Sequence, residues 1–594
     1  MNNYAQRIKA LRLLMAKYKI DVYIVLTSDP HLSEYLPEYW ESRKWLSGFN
    51  GSAGSLIITQ DYAALWTDGR YWIQAQQELK NSTIELQKQD SSNTFIKWLE
   101  KNLTEKQTLA TDFRVLPLAM QTKLQTTLQH KNITFTHYDL LTTLWKDRPA
   151  LPCAPIYEHI YSPRNRQETL LQIRKKMQQH QANYHIITTL DDIAWLCNLR
   201  GNDISYNPVF LCFFLLSLEN ATLFVQPEKV ASEIVNKLQK DGINIEPYEA
   251  IEKALQCLTN ERILIDSSKV NAYFGNILQK NNQIIDDINP SQLLKACKNP
   301  IEIEHIREAM QHDGIALCNF FSWLEEALTN QQRISELDIA QQLSYFRAKS
   351  PLYISDSFAT IAGFNANGAQ PHYNATPQCF SYLESQGLLL IDSGGQYTKG
   401  TTDITRVVPI GIPSDEQKRD YTLVLKAHIA LASASFPLNL PMPFLDSVAR
   451  IALWKNQINY FHGTGHGVGY FLNVHEGPQA ISCSANPLPK TQAKIGMVSS
   501  IEPGIYRNGK WGIRLENLVV NTKVTEPKEN EFGEFLCFEV LTLCPFEISC
   551  LNTALLNEEE KTWLNNYHDK VKQALQNKLD GKAREWLLQR TQPI

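Results

Sequence analysis

Four carboxylates between residues 392 and 516 lie next to, or inside, apolar segments typical of β-strands. Asp392 follows a run of four apolar residues, and Asp403 lies inside a second such segment eleven residues later. Glu502 ends a third segment, and Glu516 lies inside a fourth. A carboxylate in such a place is costly unless it is paired or binds a metal. Turn residues separate the members of each pair, so the sequence predicts two hairpins, each with two inward carboxylates.

A glycine-rich segment with two histidines lies between the predicted hairpins. His462 and His466 interleave with four glycines in the segment 461–469, and His475 follows shortly after. Glycine lets the backbone and an imidazole approach a crowded centre closely. Four converging carboxylates repel each other, and two divalent cations would remove that repulsion. Four carboxylates and one neutral imidazole suit a hard-leaning metal such as manganese, so these residues predict a dinuclear metal site.

Other interpretations of the same residues fit less well. A single strand aspartate or loop histidine is usually a surface or capping residue, and only the joint pattern favours a metal site. The triplet 392–394 is like that of aspartic proteases, but that chemistry needs two copies and the chain has one. The glycine run 463–469 does not fit the dinucleotide-binding pattern G-x-G-x-x-G, and no Walker lysine follows it. No H-E-x-x-H zinc motif occurs in the chain.

The elements that must position these residues alternate between helix and strand, which is typical of an α/β protein. A proline-rich stretch at 148–155 is expected to be an extended linker. The same order of helices and strands restarts after it, so a duplication of the first domain is predicted. A second break lies near Pro300. We therefore predict domains at 1–150, 151–299 and 300–594.

Composition excludes several classes of protein. The 594 residues carry 58 Lys+Arg and 62 Asp+Glu, a net charge of −4, without the basic excess of a dedicated nucleic-acid binder. The eleven cysteines are scattered with no C-x-x-C pair, so buried free thiols in a reducing compartment are expected. No apolar run reaches the ~18–20 residues that span a bilayer, and the first residues do not match a signal peptide. We expect a cytoplasmic protein that binds neither nucleic acid nor membranes.

The sequence resembles a known family, the pita-bread metallopeptidases, which include methionine aminopeptidase, prolidase, aminopeptidase P and creatinase. Five residues match the metal ligands of that family in order and context: Asp392, Asp403, His466, Glu502 and Glu516. The segments 462–469 and 475–478 resemble the branch that cleaves Xaa-Pro bonds. The segments 48–54, 67–71 and 192–201 resemble the N-terminal domains of the large cytosolic aminopeptidases P. The resemblance implies two creatinase-like α/β domains followed by a C-terminal pita-bread catalytic domain, an α/β (α+β) architecture.

The resemblance implies a role for each matched residue. Asp392 would bind one metal ion, and Asp403 and Glu516 would bridge both ions. His466 and Glu502 would complete the second site. A water or hydroxide that bridges the two metals would be the nucleophile, and Glu502 would transfer the proton of that water.

Three further histidines and one arginine also match the family pattern or its strand geometry. His372, His462 and His475 match its active-site histidines, which by analogy steady the scissile carbonyl and the tetrahedral intermediate and line the pocket for proline. Arg514 lies two residues before Glu516 on the same strand face, so we expect it to bind a ligand carboxylate from the second coordination layer.

Together these matches imply a dinuclear metal-dependent aminopeptidase that hydrolyses the N-terminal Xaa-Pro bond of short peptides. The expected cofactors are two divalent metal ions, with Mn²⁺ as our choice, and family analogy suggests a homodimer. One alternative is a prolidase restricted to dipeptides, which the three-domain length disfavours. Another is a pita-bread domain kept as a binding module, but such relatives have lost the ligands. A creatinase-type hydrolase works without metal, which the five-ligand set disfavours.

Overall fold

The computed structural model describes residues 3–594 apart from 81, 91, 527, 528 and 530. The chain divides into two compact units. The first extends to Ile160 and continues over Arg164–Ser291, and the second comprises Tyr161–Pro163 and Gln292–Ile594. The sequence-based boundary near residue 150 lies inside the first unit, so it stays a prediction.

The first unit contains eleven helices and fourteen strands among its described residues. Its helices are α1 (Asn3–Lys17), α2 (Ser42–Ser47), α3 (Trp72–Glu78), α4 (Phe95–Asn102), α5 (Leu118–Leu128), α6 (Leu141–Leu144), α7 (Arg166–Gln179), α8 (Leu190–Cys197), α9 (Ser232–Lys240), α10 (Ala250–Gln256) and α11 (Ala272–Gln279). Its strands are β1 (Val22–Leu26), β2 (Ser55–Ile58), β3 (Ala63–Thr67), β4 (Glu85–Lys88), β5 (Thr108–Thr111), β6 (Thr134–His137), β7 (Tyr157–Glu158), β8 (Tyr184–Ile187), β9 (Leu199–Arg200), β10 (Cys212–Ser217), β11 (Ala221–Val225), β12 (Ile243–Glu246), β13 (Arg262–Ile265) and β14 (Gln283–Asp286).

Two six-stranded sheets in this unit have the same topology. Their strand orders are β4-β3-β2-β1-β5-β6 and β12-β11-β10-β8-β13-β14. In the first sheet β1 is antiparallel to β2 and parallel to β5, and in the second β8 is antiparallel to β10 and parallel to β13. The duplication predicted from the order of elements is therefore confirmed.

The second unit carries the candidate site. Its helices are α13 (Pro300–Thr329), α14 (Glu336–Arg347), α15 (Asp415–Ala432), α16 (Asp446–Trp454), α17 (Glu558–Leu575) and α18 (Gly581–Arg590), and α12 (Pro290–Ala296) lies across the division between the units. Its strands are β15 (Tyr353–Asp356), β16 (Ile361–Phe364), β17 (Gly387–Ser393), β18 (Gly395–Tyr397), β19 (Gly400–Thr401), β20 (Ile404–Ile410), β21 (Ser435–Pro437), β22 (Gly465–His466), β23 (Ala480–Ile481), β24 (Val498–Ile501), β25 (Gly504–Arg507), β26 (Trp511–Arg514), β27 (Asn517–Lys523) and β28 (Phe535–Val540).

The core of this unit lies between long helices and short antiparallel sheets. The sheets have the orders β16-β17-β20 and β21-β28-β27-β24. All seven residues of β17 are buried, as a continuous apolar run predicts for a strand covered on both faces. The helix α13 begins at Pro300 after a capping box formed by Asn299 and Glu302, and its apolar face packs into the same core.

The helix α15 begins directly after the capping residue Ser414. The strand β10 begins at Cys212, three residues into the apolar run 209–216. All eleven cysteines are free thiols, as expected from their spacing, but not all are buried as expected: Cys153, Cys257, Cys379 and Cys483 are exposed. Among the described residues, no helix combines the length and apolar character that crossing a membrane requires.

Candidate metal centre

The first carboxylate hairpin is formed by β17 and β20 and is interrupted where Asp403 lies. Asp392 pairs with Thr405 across the ladder, so it does not directly face Asp403 as the sequence suggested. The ladder resumes beyond the break, where Gln396 pairs with Thr401. Asp403 therefore lies between β19 and β20, not inside a strand as predicted. The reason is a close backbone approach, because a Cβ on Gly394 would lie 2.0 Å from the carbonyl oxygen of Thr402.

The second hairpin has the same kind of break. The strand β24 pairs with β27 up to Ile501 and Asn517, and the pairing resumes in β25 and β26. Glu502 directly follows β24, as predicted, whereas Glu516 lies between β26 and β27 and not inside one strand. Pro503 has no amide hydrogen, so the ladder cannot continue through it. The two hairpins are joined where the Glu516 amide donates to the Thr405 carbonyl oxygen at 3.1 Å.

These breaks bring the predicted ligands together. Oxygen and nitrogen atoms of Asp403, His466 and Glu516 all lie within 4.8 Å of one another. His466 Nε2 is 3.5 Å from a carboxylate oxygen of Asp403 and 3.5 Å from one of Glu502. Asp392 is buried nearby, and its Oδ1 accepts no hydrogen bond from the described residues. This acceptor is available to a cation.

Burial and mutual repulsion raise the pKa values of the carboxylates. Burial, together with the charge of Asp392, raises the pKa of Glu502 to about 7, although Arg514 opposes this change. Burial and then the neighbouring carboxylates hold the pKa values of Asp403 and Glu516 well above their usual range. Four oxygen-donor side chains and one imidazole with this excess of negative charge fit two divalent cations.

Arg514 brings positive charge into contact with this cluster. Its Nη2 donates to Asp392 Oδ2 at 2.6 Å, and its Nε donates to Thr405 Oγ1 at 3.2 Å. The Thr405 hydroxyl in turn donates to Glu516 Oε2 at 2.8 Å. Arg514 thus orients carboxylates of both hairpins.

Tyr506 joins Arg514 to His462 and was missed by sequence reasoning. Arg514 Nη1 lies 2.8 Å from the Tyr506 hydroxyl, which lies 2.8 Å from His462 Nε2. An arginine can only donate, so the hydroxyl accepts from Arg514. A carbonyl oxygen can only accept, so His462 Nδ1, 2.7 Å from that of Gly463, carries a ring proton, and the Nε2 of a neutral imidazole accepts from the Tyr506 hydroxyl. The sequence could have indicated this contact, because the turn at Gly509 sets a pairing register between β25 and β26 that places Tyr506 and Arg514 on the same face of the hairpin.

The loop with His475 is held by a buried ion pair that sequence reasoning also missed. The His475 ring lies edge-on to the His466 ring, with centroids 4.4 Å apart. Next to it, the buried Glu476 accepts from Lys298 Nζ at 2.5 Å. Lys298 also donates to the Val468 carbonyl oxygen at 2.7 Å, so one lysine holds both histidine segments. Its position just before α13 gave no local signal of this role.

His372 lies twenty residues before Asp392 in the sequence. It is half-buried on a turn that follows the 3₁₀-helix Asn365–Ala369. Its approach to the carboxylates stays a prediction.

Comparisons with known proteins place this geometry in a family. The model of metallopeptidase family M24 matches residues 304–523, and that of its C-terminal region matches 534–594. Models of the creatinase/prolidase N-terminal domain match 7–142 and 147–302. A probable Xaa-Pro aminopeptidase P of Laccaria bicolor is 38% identical over 100% of this chain and 94% of its own length. The chain belongs to metallopeptidase family M24.

Other relatives agree with this assignment to M24. Xaa-Pro aminopeptidase 1 of Dictyostelium discoideum is 35% identical over 99% of this chain and 96% of its own length. The crystal structure of X-prolyl aminopeptidase from Caenorhabditis elegans, described as a cytosolic enzyme with a di-nuclear active site, matches 100% of both chains with a TM-score of 0.95 and 31% identity. The predicted membership in the aminopeptidase P group and the predicted fold, with two creatinase-type domains before an M24 catalytic domain, are confirmed.

Proposed function

We propose that this metallopeptidase releases the N-terminal residue of short peptides that carry proline at the second position. One observation carries the proposal: all five predicted ligand residues converge in a chain that matches Xaa-Pro aminopeptidases over its full length. An Xaa-Pro bond is a tertiary amide without an N–H, and the proline ring fixes φ. A pocket shaped for that ring can use it as an anchor, whereas a peptidase that needs the N–H cannot.

The proposed ligands of two divalent ions, with Mn²⁺ as our choice of metal, are Asp392, Asp403, His466, Glu502 and Glu516. When bound, the ions supply Lewis-acid polarisation of the carbonyl and an activated water at neutral pH. Of the ligand residues, Asp403 and Glu516 are placed centrally, and each is surrounded by the other carboxylates. Glu502 is the residue that takes up the proton of the attacking water.

The proposed role of the histidines is to orient the substrate. The Gly463 carbonyl oxygen and the hydroxyl of Tyr506, which contact the two ring nitrogens of His462, hold the imidazole in a fixed orientation. His372 and His475 are proposed to steady the scissile carbonyl and the tetrahedral intermediate. The proline nitrogen leaves with a proton returned from Glu502.

Product analysis tests the proposed activity. The manganese-loaded protein is incubated with a longer peptide that begins Arg-Pro-Pro and, separately, with the dipeptide Arg-Pro. We expect free arginine from the longer peptide. Cleavage of the dipeptide alone would show a prolidase, and cleavage of neither by metal-loaded protein would show that the substrate class is wrong.

We also propose a cytoplasmic homodimer. The free cysteines fit a reducing compartment, and the C. elegans enzyme is described as cytosolic. Ile451 and Trp454 on α16 and Phe461 in the next loop are 48%, 45% and 86% exposed, so an apolar surface is available to a second copy.

Light scattering after gel filtration tests the dimer. Ile451→Glu is expected to give monomers. Ile412→Glu, at an isoleucine that is 79% exposed on another segment, is the matched control and is expected to stay dimeric. A monomeric native protein would refute the proposal.

A further inference from the structure

A buried carboxylate outside the metal centre is bound by four neutral groups. Glu336, the first residue of α14, is fully buried, and no cation pairs with it among the described residues. Its carboxylate accepts from the Phe364 amide at 2.8 Å and from the Ser381 amide at 2.7 Å. It also accepts from Asn367 Nδ2 at 2.9 Å and from the Tyr373 hydroxyl at 2.8 Å. Removing a carboxylate from water is costly, and hydrogen bonds from the four donors offset that cost.

All four donors belong to one segment, residues 364–381, that carries His372. The amides of Phe364 and Ser381 lie at its two ends, and Tyr373 directly follows His372. One side chain therefore ties both ends of the segment and the neighbour of His372 to a single point. The Glu336 amide adds a fifth bond by donating to the Ser381 carbonyl oxygen at 3.0 Å.

The same segment is packed against strands of the metal centre. It continues from β16, in which Ile361 pairs with Asp392 of β17. A Cβ on Gly512 of β26 would lie 1.7 Å from the Gly368 carbonyl oxygen, so these two backbones touch. Gly512 lies two residues before Arg514. The position of this segment is thereby set relative to the strands that carry Asp392 and Arg514.

We propose that Glu336 is a positioning residue that holds His372 in place for peptide-bond hydrolysis. The proposal rests on the catalytic role of His372 in the proposed function. Glu336 acts through Tyr373 and through the two ends of the segment, and it does not itself touch the substrate. With the segment bound to Glu336 at four residues, the imidazole of His372 has little freedom to leave its site.

A double-mutant cycle tests the proposal. Glu336→Gln keeps the size of the side chain but replaces one accepting oxygen by a donating amide. We expect kcat on an Xaa-Pro peptide to fall at least about tenfold, with KM changed less than about twofold and metal content unchanged. In the His372→Ala background the same substitution is expected to change kcat less than about twofold, because the residue that it positions is gone. An equal loss in both backgrounds would overturn the proposal.

Two further variants separate positioning from folding. Tyr373→Phe removes the hydroxyl that joins Glu336 to the neighbour of His372, and the same cycle applies to it if Glu336→Gln does not fold. Asp338→Asn is the matched control, because Asp338 caps the same helix start by accepting from the Ser335 amide at 2.8 Å. We expect it to lower the melting temperature and to leave kcat within about twofold of the native value. A loss of kcat as large as that of Glu336→Gln would overturn the proposal.

Hydrogen exchange of the metal-loaded full chain gives a readout that does not depend on activity. In Glu336→Gln we expect faster amide exchange in 364–381 and unchanged exchange in 387–410. Unchanged exchange in 364–381 would refute the proposal whatever the activity. If Glu336→Gln shows faster exchange in 364–381 but the native protein cleaves no Xaa-Pro peptide, the proposed function alone would be refuted.

Discussion

At the residue scale, Arg514 holds two parts of the centre with one side chain. One arm of its guanidinium binds Asp392 and the other binds Tyr506, which in turn sets the ring proton of His462. A planar fork with five donors suits this double role, and a lysine could not reproduce it. A proposed metal ligand and a histidine proposed to orient the substrate are therefore held by the same group.

Tyr506→Phe tests this linkage. The variant keeps the ring but removes the proton given to His462, so the imidazole is no longer fixed in one tautomer. We expect kcat/KM to fall about tenfold, which corresponds to about 1.4 kcal/mol, while manganese content stays at the native value. Tyr353→Phe is the control, since that hydroxyl donates to Asp356 at 2.8 Å and contacts no ligand residue. Loss of metal in Tyr506→Phe would contradict this account.

The sequence identified the residues that converge at the candidate site and Arg514, which contacts them, but not the other groups that orient them. Asp392 and Glu502 were recognisable because a carboxylate beside an apolar strand is chemically unusual. Tyr506 and Lys298 are not chemically unusual in their sequence context, since tyrosine and lysine occur at many positions that have no role in a site. The turn between β25 and β26 could have indicated the register that places Tyr506 beside Arg514, whereas the contact of Lys298 across about 170 residues is visible only in the folded chain.

At the element scale, the breaks in the two hairpins matter more than the strands. Sequence patterning predicted continuous strands through Asp403 and Glu516, because the surrounding residues are apolar and β-branched. Pro503 could have indicated the second break. The first break depends on Gly394, whose approach to Thr402 has no local signature.

Gly394→Ala tests the importance of the first break. The added Cβ would meet the Thr402 carbonyl oxygen, so Asp403 must move. We expect a destabilisation of about 1–3 kcal/mol and at least about tenfold weaker manganese binding in calorimetric titration. Gly509→Ala is the control, because nothing lies within 4 Å of its added Cβ although its φ is +72°. It is expected to cost about 1 kcal/mol and to leave manganese affinity unchanged. Equal affinity in both variants would refute the role of the break.

At the scale of the whole molecule, duplication was predictable because the order of elements repeats in the sequence. The compact first unit that contains both sheets was not predictable, since it depends on packing between residues far apart in the chain. Each unit buries neutral histidines. Burial lowers the pKa values of His31 and His568 to about 3 and that of His185 to about 4.

Because these histidines are buried in the neutral form, we predict that the free energy of unfolding decreases in mild acid. Each binds a proton below pH 6.5 when unfolded but stays neutral in the folded chain until much lower pH. Their contribution is complete above pH 6.5 and falls by up to about 1.4 kcal/mol per histidine for each pH unit below it. Urea unfolding at pH 7.5, 6.5 and 5.5 measures this slope. His568→Gln is expected to reduce it, and the exposed His130→Gln is not. An unchanged slope in His568→Gln would contradict the assignment.

The most direct test of the central claim is the manganese content of the native protein and of Asp403→Ala, measured by elemental analysis after loading and removal of free metal. Asp403 lies within reach of both His466 and Glu516 and is the proposed bridge between two ions. We predict two manganese ions per native chain and none in Asp403→Ala, with two retained in Asp68→Ala, a carboxylate variant of the first unit. One ion per native chain, or two retained in Asp403→Ala, would contradict the dinuclear centre.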